Sequence, residues 1–262
     1  MKQIIFIFFL NTIGINSFAF SPVCGAFASA QFSHSYSVVP THSSQLSLVT
    51  WNTHKLKDPD TIKAIGRIGT SADLLFLQEA MYSDQWQTAL IEELPMNFVF
   101  YKSFCFLNHE ITGVMTASRF SLLNSQALRS GDREPISYTH KVAGYSSFYL
   151  NGTLIHLINI HSLNFNDGRP FEHQIDFLVE FASHLNGPLI WAGDFNTWNN
   201  LRIDYLLAQT KKLNLIELLP DNEVRNRILD HIFVRGFKII RTEIVNETSS
   251  DHFPLRATIE LN

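Results

Sequence analysis

The chain has 262 residues, enough for one large domain or two small ones. Hydrophobic residues make up 45% and charged residues 17%, which supplies a core and excludes a disordered chain. The formal net charge of −4 argues against coating nucleic acid through bulk charge, but not against an enzyme that meets a phosphodiester through a metal ion.

The first element is "MKQIIFIFFLNTIGINSFAF". Lys2, an apolar run shorter than the ~20 residues of a spanning helix, and small residues beyond it predict a secretory signal peptide. Cleavage is expected after Ala19 or Ala28, so residues 1–28 are read as the signal and the mature protein as exported, periplasmic or secreted. An uncleaved membrane anchor is the alternative. Residues 29–45 are Ser-rich and aperiodic, and are read as a flexible lead-in. The two cysteines, Cys24 and Cys105, are able to pair in an exported chain, and that question stays open. Neither has a ligand partner at short spacing, so a structural zinc site is not expected.

The strand "QLSLVTWN" opens a single domain over 46–262. "DPDTIKAIGRIG" predicts an Asp-capped helix with Ile62, Ile65 and Ile68 on one face. After the strand "ADLLFLQE", "SDQWQTALIEEL" predicts a helix capped by Ser83, with Trp86, Leu90, Ile91 and Leu94 inward. "NFVFYKSF" and "TGVMTAS" are strands, and "KVAGYSSFYLNGTLIHLINIH" is a hairpin turning at Asn151-Gly152. Residues 171–186 form a helix stopped by Gly187-Pro188, "PLIWAGDFN" is a strand and 202–213 a helix. "RILDHIFVRG", "FKIIRTEIVN" and "PLRATIEL" are the closing strands. Hairpins and helices both connect strands, which predicts an α/β or α+β domain with mixed sheets.

Strand alternation then exposes a shared feature. Leu46, Leu48 and Thr50 share a face with Asn52, and Leu75 and Leu77 with Glu79. Ile155 and Leu157 share one with Asn159 and His161, and Ile190 and Ala192 with Asp194 and Asn196. Four strands are apolar on one face and turn polar, in phase, at their C-terminal ends. Burying such groups unpaired costs several kcal/mol, so the ends are expected to converge on a polar pocket. Glu79 and Asp194 offer the hard oxygens that Mg²⁺ prefers, and the amides orient oxyanions without added charge. That inventory suits phosphoester hydrolysis. Asp230 in "ILDHIFV" is placed to fix His252 of "SSDHFPL", with Asp251 beside it, while His231 is expected on the opposite strand face.

"TWN", "FLQEA", "NIH", "GDFN", "LDHIF" and "SDHFPL", in this order over residues 46–262, resemble the endonuclease/exonuclease/phosphatase superfamily, the DNase I-like fold. "GVMTAS", "REPI", "NIHSLNF" and "GDFNTW" are similar to a little-characterised bacterial subgroup of it. The resemblance implies a four-layer sandwich, two mixed β-sheets flanked by helices. It implies that Glu79 binds Mg²⁺ or Mn²⁺ with Asn52 and Asp251 close by, and that Asp194 orients or deprotonates the attacking water. Asn196 and His252 would stabilise the phosphorus, with Asp230 behind His252. His161 would aid leaving-group departure, as in the DNase I, sphingomyelinase and inositol-phosphatase branches; Glu110 is a weak candidate for its acidic partner. Asn159 and Arg133 would contact substrate, Arg133 being equally readable as a solvated loop residue. Trp198 is read as covering the core, with stacking on a base or sugar as the alternative. Arg225, Arg227, Arg235, Lys238 and Arg241 are read as a solvated face rather than a DNA track. The segment "YKSFCFLNHE" is either a membrane-entering tip or a buried strand. The activity implied is a divalent-metal-dependent phosphodiesterase, foremost an exported, monomeric nuclease without an obligate protein partner. A sphingomyelinase-like phospholipase C or a phosphoinositide phosphatase, acting on lipid or inositol phosphate, is the alternative.

Overall fold

The computed structural model describes residues 27–33, 43–106, 108–135, 137–164 and 168–262. The expected signal region up to residue 26, with Cys24, lies outside them. In chain order the elements are β1 (Ser29–Ser33), β2 (Gln45–Asn52), α1 (Thr61–Gly69), β3 (Leu74–Tyr82), α2 (Asp84–Glu93), β4 (Asn97–Cys105), β5 (Ile111–Ser118), β6 (Leu123–Leu128), β7 (Ala143–Leu150), β8 (Thr153–His161), α3 (Arg169–Ser183), β9 (Leu189–Asp194), α4 (Asn200–Lys212), β10 (Ile216–Glu217), β11 (Asp230–Arg235), β12 (Phe237–Ile244) and β13 (Leu255–Leu261). They form two mixed sheets, ordered β1-β4-β5-β3-β2-β13-β12 and β10-β11-β9-β8-β7-β6.

Each sheet contains one parallel pair, β2/β3 and β8/β9, and all other pairings are antiparallel. Parallel neighbours need a crossover, supplied by α1 in one sheet and α3 in the other. The sheets pack face to face over Leu46, Leu48, Phe76, Ile155, Leu157, Ile190 and Ala192. α1 and α2 cover the outer face of one sheet through Ile62, Ile65, Ile68, Leu90 and Leu94. α3 and α4 cover the other through Phe171, Ile175, Leu178 and Leu206. This is the four-layer sandwich the resemblance implies.

Local chemistry accounts for the punctuation. Asn151 (φ 50°) and Gly152 (φ 82°) both take positive φ, as the tight β7–β8 turn requires. Ser83 accepts from Trp86 N at 3.3 Å and caps α2, though Trp86 and Ile91 are only half-buried. α4 starts at Asn200, capped by Asn199. Asp60 makes no side-chain cap on α1; Asp58 Oδ1 instead takes Asp60 N at 2.8 Å.

Residues 29–33 are not a flexible lead-in. They form β1, paired along its length with β4, and Lys102 N donates to Ala28 O at 3.0 Å. The pairing suits an edge strand that adds Phe32 against Phe98, ring centroids 4.9 Å apart. "YKSFC" lies within β4, between β1 and β5, so that stretch is strand. Cys105 ends it in a disulfide. Among the described residues no helix is long and apolar enough to cross a membrane.

Candidate active site

The parallel pairs decide where chemistry collects. Asn52 ends β2, Glu79 lies late in β3, and His161 and Asp194 end β8 and β9. Ligands gather outside the carboxyl ends of parallel strands. Here two such ends, one from each sheet, meet: Asn52 Nδ2 donates to Asp194 Oδ2 across the sandwich at 2.8 Å. β11 runs antiparallel to β9 with Asp230 opposite Asp194, and β13 runs antiparallel to β2 just after His252, so both later motifs arrive at the same end.

Asp194 depends on its neighbours for direction. Gly193 has φ 146°, and a Cβ there would lie 2.0 Å from Ile160 O, so the glycine of "GDFN" lets β9 close on β8. Asp194 Oδ1 accepts from Asn196 N at 2.9 Å, and Asn196 itself turns into the left-handed region at φ 52°. Its Nδ2 donates to Ser162 O at 2.9 Å, leaving one amide hydrogen for a ligand. Phe195 points the other way, fully buried between Trp191 and Phe233. Burial and the neighbouring Asp230 push the Asp194 carboxyl up to about 6, above an ordinary aspartate.

Asp230 Oδ2 and His252 Nδ1 are 2.8 Å apart. Burial works against the imidazolium, but Asp230 outweighs it, with Asp194 and Asp251 adding, and His252 is pushed up to about 10. His252 is therefore charged near neutrality, with Nε2–H free of the Asp230 bond. Trp51 Nε1 fixes its backbone by donating to His252 O at 2.9 Å. Ligand atoms of Asp194, Asp230 and His252 all lie within 4.8 Å of one another. Because His252 Nδ1 is committed to Asp230, this trio is an acid–imidazolium cluster rather than a ready three-ligand cation site.

Glu79 reaches the site by a route that alternation did not reveal. Leu75 and Leu77 face the outer layer with α1 and α2. The β3–β5 register shifts between Leu77 and Ala80, and Glu79 takes φ 49°. This bulge turns Glu79 into the site while Gln78 takes the intersheet position. Burial favours the neutral acid, yet the field of His161, Lys141 and Lys55 around Glu79 outweighs it and holds the carboxyl below the usual carboxylate range. Lys55 Nζ is 2.6 Å from Glu79 Oε2. It is delivered by a turn in which His54, Lys55 and Leu56 all have positive φ. His161 Nε2 is 3.6 Å from Asp194 Oδ2 and 3.9 Å from Glu79 Oε1. Burial and the adjacent lysines hold it well below the ordinary histidine range.

One expected ligand contact is corrected. Asn159 does not face a substrate: its Oδ1 accepts from Gln78 Nε2 at 2.7 Å and its Nδ2 donates to Met115 O at 2.9 Å, tying the two sheets together in the core. Arg133 is exposed on the loop before β7, with its charge near His140, and makes no bond to the site among the described residues. Asp251 is exposed, 3.4 Å from His54 Nδ1, while Ser250 Oγ donates to Asn52 O at 2.7 Å and anchors this loop at the site. Glu110 is exposed in the β4–β5 turn, and the hydrogen-bond partner of His161 is Lys141.

His231 lies on the far face as expected, between Thr197 Oγ1 and Glu217 Oε1, each at 2.6 Å. Trp198 is not a core residue; it is 44% exposed, with Arg202 against its ring. Arg202 also holds Leu163 O and Asn196 O from beneath, a supporting role with no sequence signature. Lys55 and Lys141 also border the site without belonging to any of the quoted motifs. The Asn151-Gly152 turn sets the register that puts Lys141 beside the end of β8, and that signal was available.

The sequence profile of the family described as "Endonuclease/Exonuclease/phosphatase family" matches residues 49–252. A UPF0294 protein of Photorhabdus laumondii is 30% identical over 224 residues, covering 82% of this chain and 84% of its own. Among solved structures, a mannosyl-6-phosphatase of Bacteroides thetaiotaomicron superposes with TM-score 0.64 at 16% identity, covering 82% of this chain and 99% of its own. A beta toxin from Staphylococcus aureus with bound magnesium ions gives TM-score 0.63 at 17% identity, covering 81% and 99%. At these identities the two structures show the shared fold. With the profile spanning most of the sandwich and every site strand, the chain belongs to the endonuclease/exonuclease/phosphatase family, whose members are hydrolases acting on phosphoester bonds.

Proposed function

We propose that this protein is an exported, Mg²⁺- or Mn²⁺-dependent phosphodiesterase that hydrolyses nucleic-acid phosphodiesters by in-line attack of water. The observation that carries the reading is the pairing of Asp194, raised toward neutrality, with the Asp230-held His252 imidazolium close by. A base poised near the working pH takes a proton from water most effectively. His252 Nε2–H and the remaining amide hydrogen of Asn196 are the donors for oxygens on the phosphorus. Asp230 keeps His252 oriented and charged. Asn52 fixes Asp194 so that one carboxylate oxygen stays aimed at the water.

The donor set fits a hard divalent cation. Asp194, Asp230 and Glu79 bring three carboxylates to one end of the sandwich, and among the described residues Asp230 Oδ1 has no hydrogen-bond partner. A cation already sits against Glu79, the Lys55 ammonium at 2.6 Å, and a metal ion there would take its place. Glu79, with Asn52 and Asp251, would hold the ion, which when bound neutralises phosphoryl charge. Export rests on the N-terminal pattern. Phe27 packs at a tilt against Tyr82, centroids 5.1 Å apart, and Ala28 O is bonded to β4, so the packing favours cleavage after Ala19 over Ala28.

A lipid or inositol phosphoester is the second reading, and one observation favours it. Arg225 is spent on Glu223 and Asp230 O, Arg235 on Leu185 O and Gly187 O, and Arg241 on Glu243. These side chains do not form a free basic track for a duplex backbone. Purified protein with Mg²⁺ should be assayed against plasmid DNA, RNA, sphingomyelin and inositol phosphates. Cleavage of a nucleic acid supports the first reading. Release only from lipid or inositol substrates replaces it with the second.

A further inference from the structure

One half-buried charge has no task in this scheme. Lys141 sits at the entry to β7, where His161 N donates to the adjoining Val142 O at 3.3 Å. Its Nζ lies 3.0 Å from His161 Nε2 and 3.4 Å from Nδ1. Among the described residues no carboxylate lies within ion-pair distance of it; Glu79, Glu134 and Asp194 act on it only through their field. Lys55 differs in having Glu79 at 2.6 Å. Both ammonium groups line one cleft with Glu79, His161, Thr112 and Phe104.

An ammonium carries three donors and no acceptor, while a neutral imidazole offers one lone pair. Nζ is close to both ring nitrogens, so it lies over the imidazole rather than on one in-plane lone pair. Two N–H groups of Lys141 then remain for something else. Burying a cation against a neutral partner is costly, and burial accordingly lowers the pKa of Lys141. The arrangement is compensated when an anionic oxygen enters the cleft, a few ångströms from Asp194 through His161.

We propose that Lys141 is a substrate-contacting residue whose ammonium binds a non-bridging oxygen of the scissile phosphoryl group beside His161. The inference rests on the phosphoester-hydrolase reading of the site and adds a cationic contact to it.

Inorganic phosphate is the probe, titrated calorimetrically into the full chain in chelator, where turnover plays no part. Wild type should bind it, Lys141→Met should weaken binding at least about tenfold, and Lys141→Arg should stay within about threefold of wild type. Thermal midpoints confirm that the variants are folded, and Lys141→Gln is read in the same way where the methionine variant is not. No phosphate binding by wild type, or equal binding by wild type and the folded neutral variant, overturns the proposal. Phosphate binding that depends on Lys141, in a protein inactive on every phosphoester, leaves the contact standing and refutes the hydrolase reading instead.

Discussion

The Asp230–His252 pair makes a quantitative prediction about stability. Both side chains are largely buried, 3% and 14% exposed, so solvent screens the interaction little. His252 rises from 6.5 to about 10 in the folded chain. At about 1.4 kcal/mol per pH unit, the full interaction amounts to roughly 5 kcal/mol as an upper bound. A raised histidine contributes all of this below pH 6.5, and the contribution disappears as pH climbs through 10. Most of the unfolded histidine has lost its proton by pH 8, so about 2 kcal/mol is lost between pH 6 and pH 8. Asp230→Asn keeps the shape and an acceptor for Nδ1–H but removes the charge. Urea unfolding of both proteins in chelator, at pH 6, 7 and 8, reads the difference. The wild-type advantage should shrink by about 2 kcal/mol across that range. An advantage that is independent of pH would show that His252 is not an imidazolium in the folded protein.

Other expectations follow from the same geometry. Asp194→Asn should cost a factor of about 10²–10⁴ in kcat, the range for general acid–base groups, and Asn196→Ala about 10²–10³; steady-state kinetics on an active substrate checks both. Phe195→Leu faces away from the site, so it should lower the thermal midpoint through the loss of at most a few kcal/mol while folded protein keeps its kcat. Asn159→Leu should likewise lower the midpoint and leave KM alone, because its amide ties the sheets together; a raised KM would return it to the substrate. Mass measurement of mature protein from an expressing cell should give an N-terminus at Phe20. Retention of Met1 would contradict export, and an N-terminus at Ser29 would contradict the packing of Phe27.

Much of the site was legible because strand alternation is a short-range rule. Leu46 to Asn52, Ile155 to His161 and Ile190 to Asp194 keep phase from core to site without a break. Regular alternation sends Glu79 outward with Leu77, and only the bulge at φ 49° turns it toward His161 and Lys55. A bulge leaves no mark in a run such as "LLFLQEA". Asn159 was misread for a different reason: an amide at a strand end serves equally as a ligand contact or an intersheet tie, and only Gln78 opposite it decides. β6, "LNSQAL", is a largely solvent-facing edge strand without alternation, and β1 takes its stability from pairing with β4. Lys141 follows from the register of the Asn151-Gly152 hairpin, whereas Lys55 depends on positive φ at His54, Lys55 and Leu56, a run with no glycine to announce it.

Asp194 and a divalent cation should together drive phosphoester hydrolysis at this site. The measurement that tests it most directly is the hydrolysis of bis(p-nitrophenyl) phosphate by wild type and Asp194→Asn, each in Mg²⁺ and in excess chelator. Wild type should turn over in Mg²⁺, lose activity in chelator and recover it when Mg²⁺ or Mn²⁺ is returned, and the variant should be slower by at least about a hundredfold. Undiminished wild-type turnover in chelator, or an Asp194→Asn protein as fast as wild type, would contradict it.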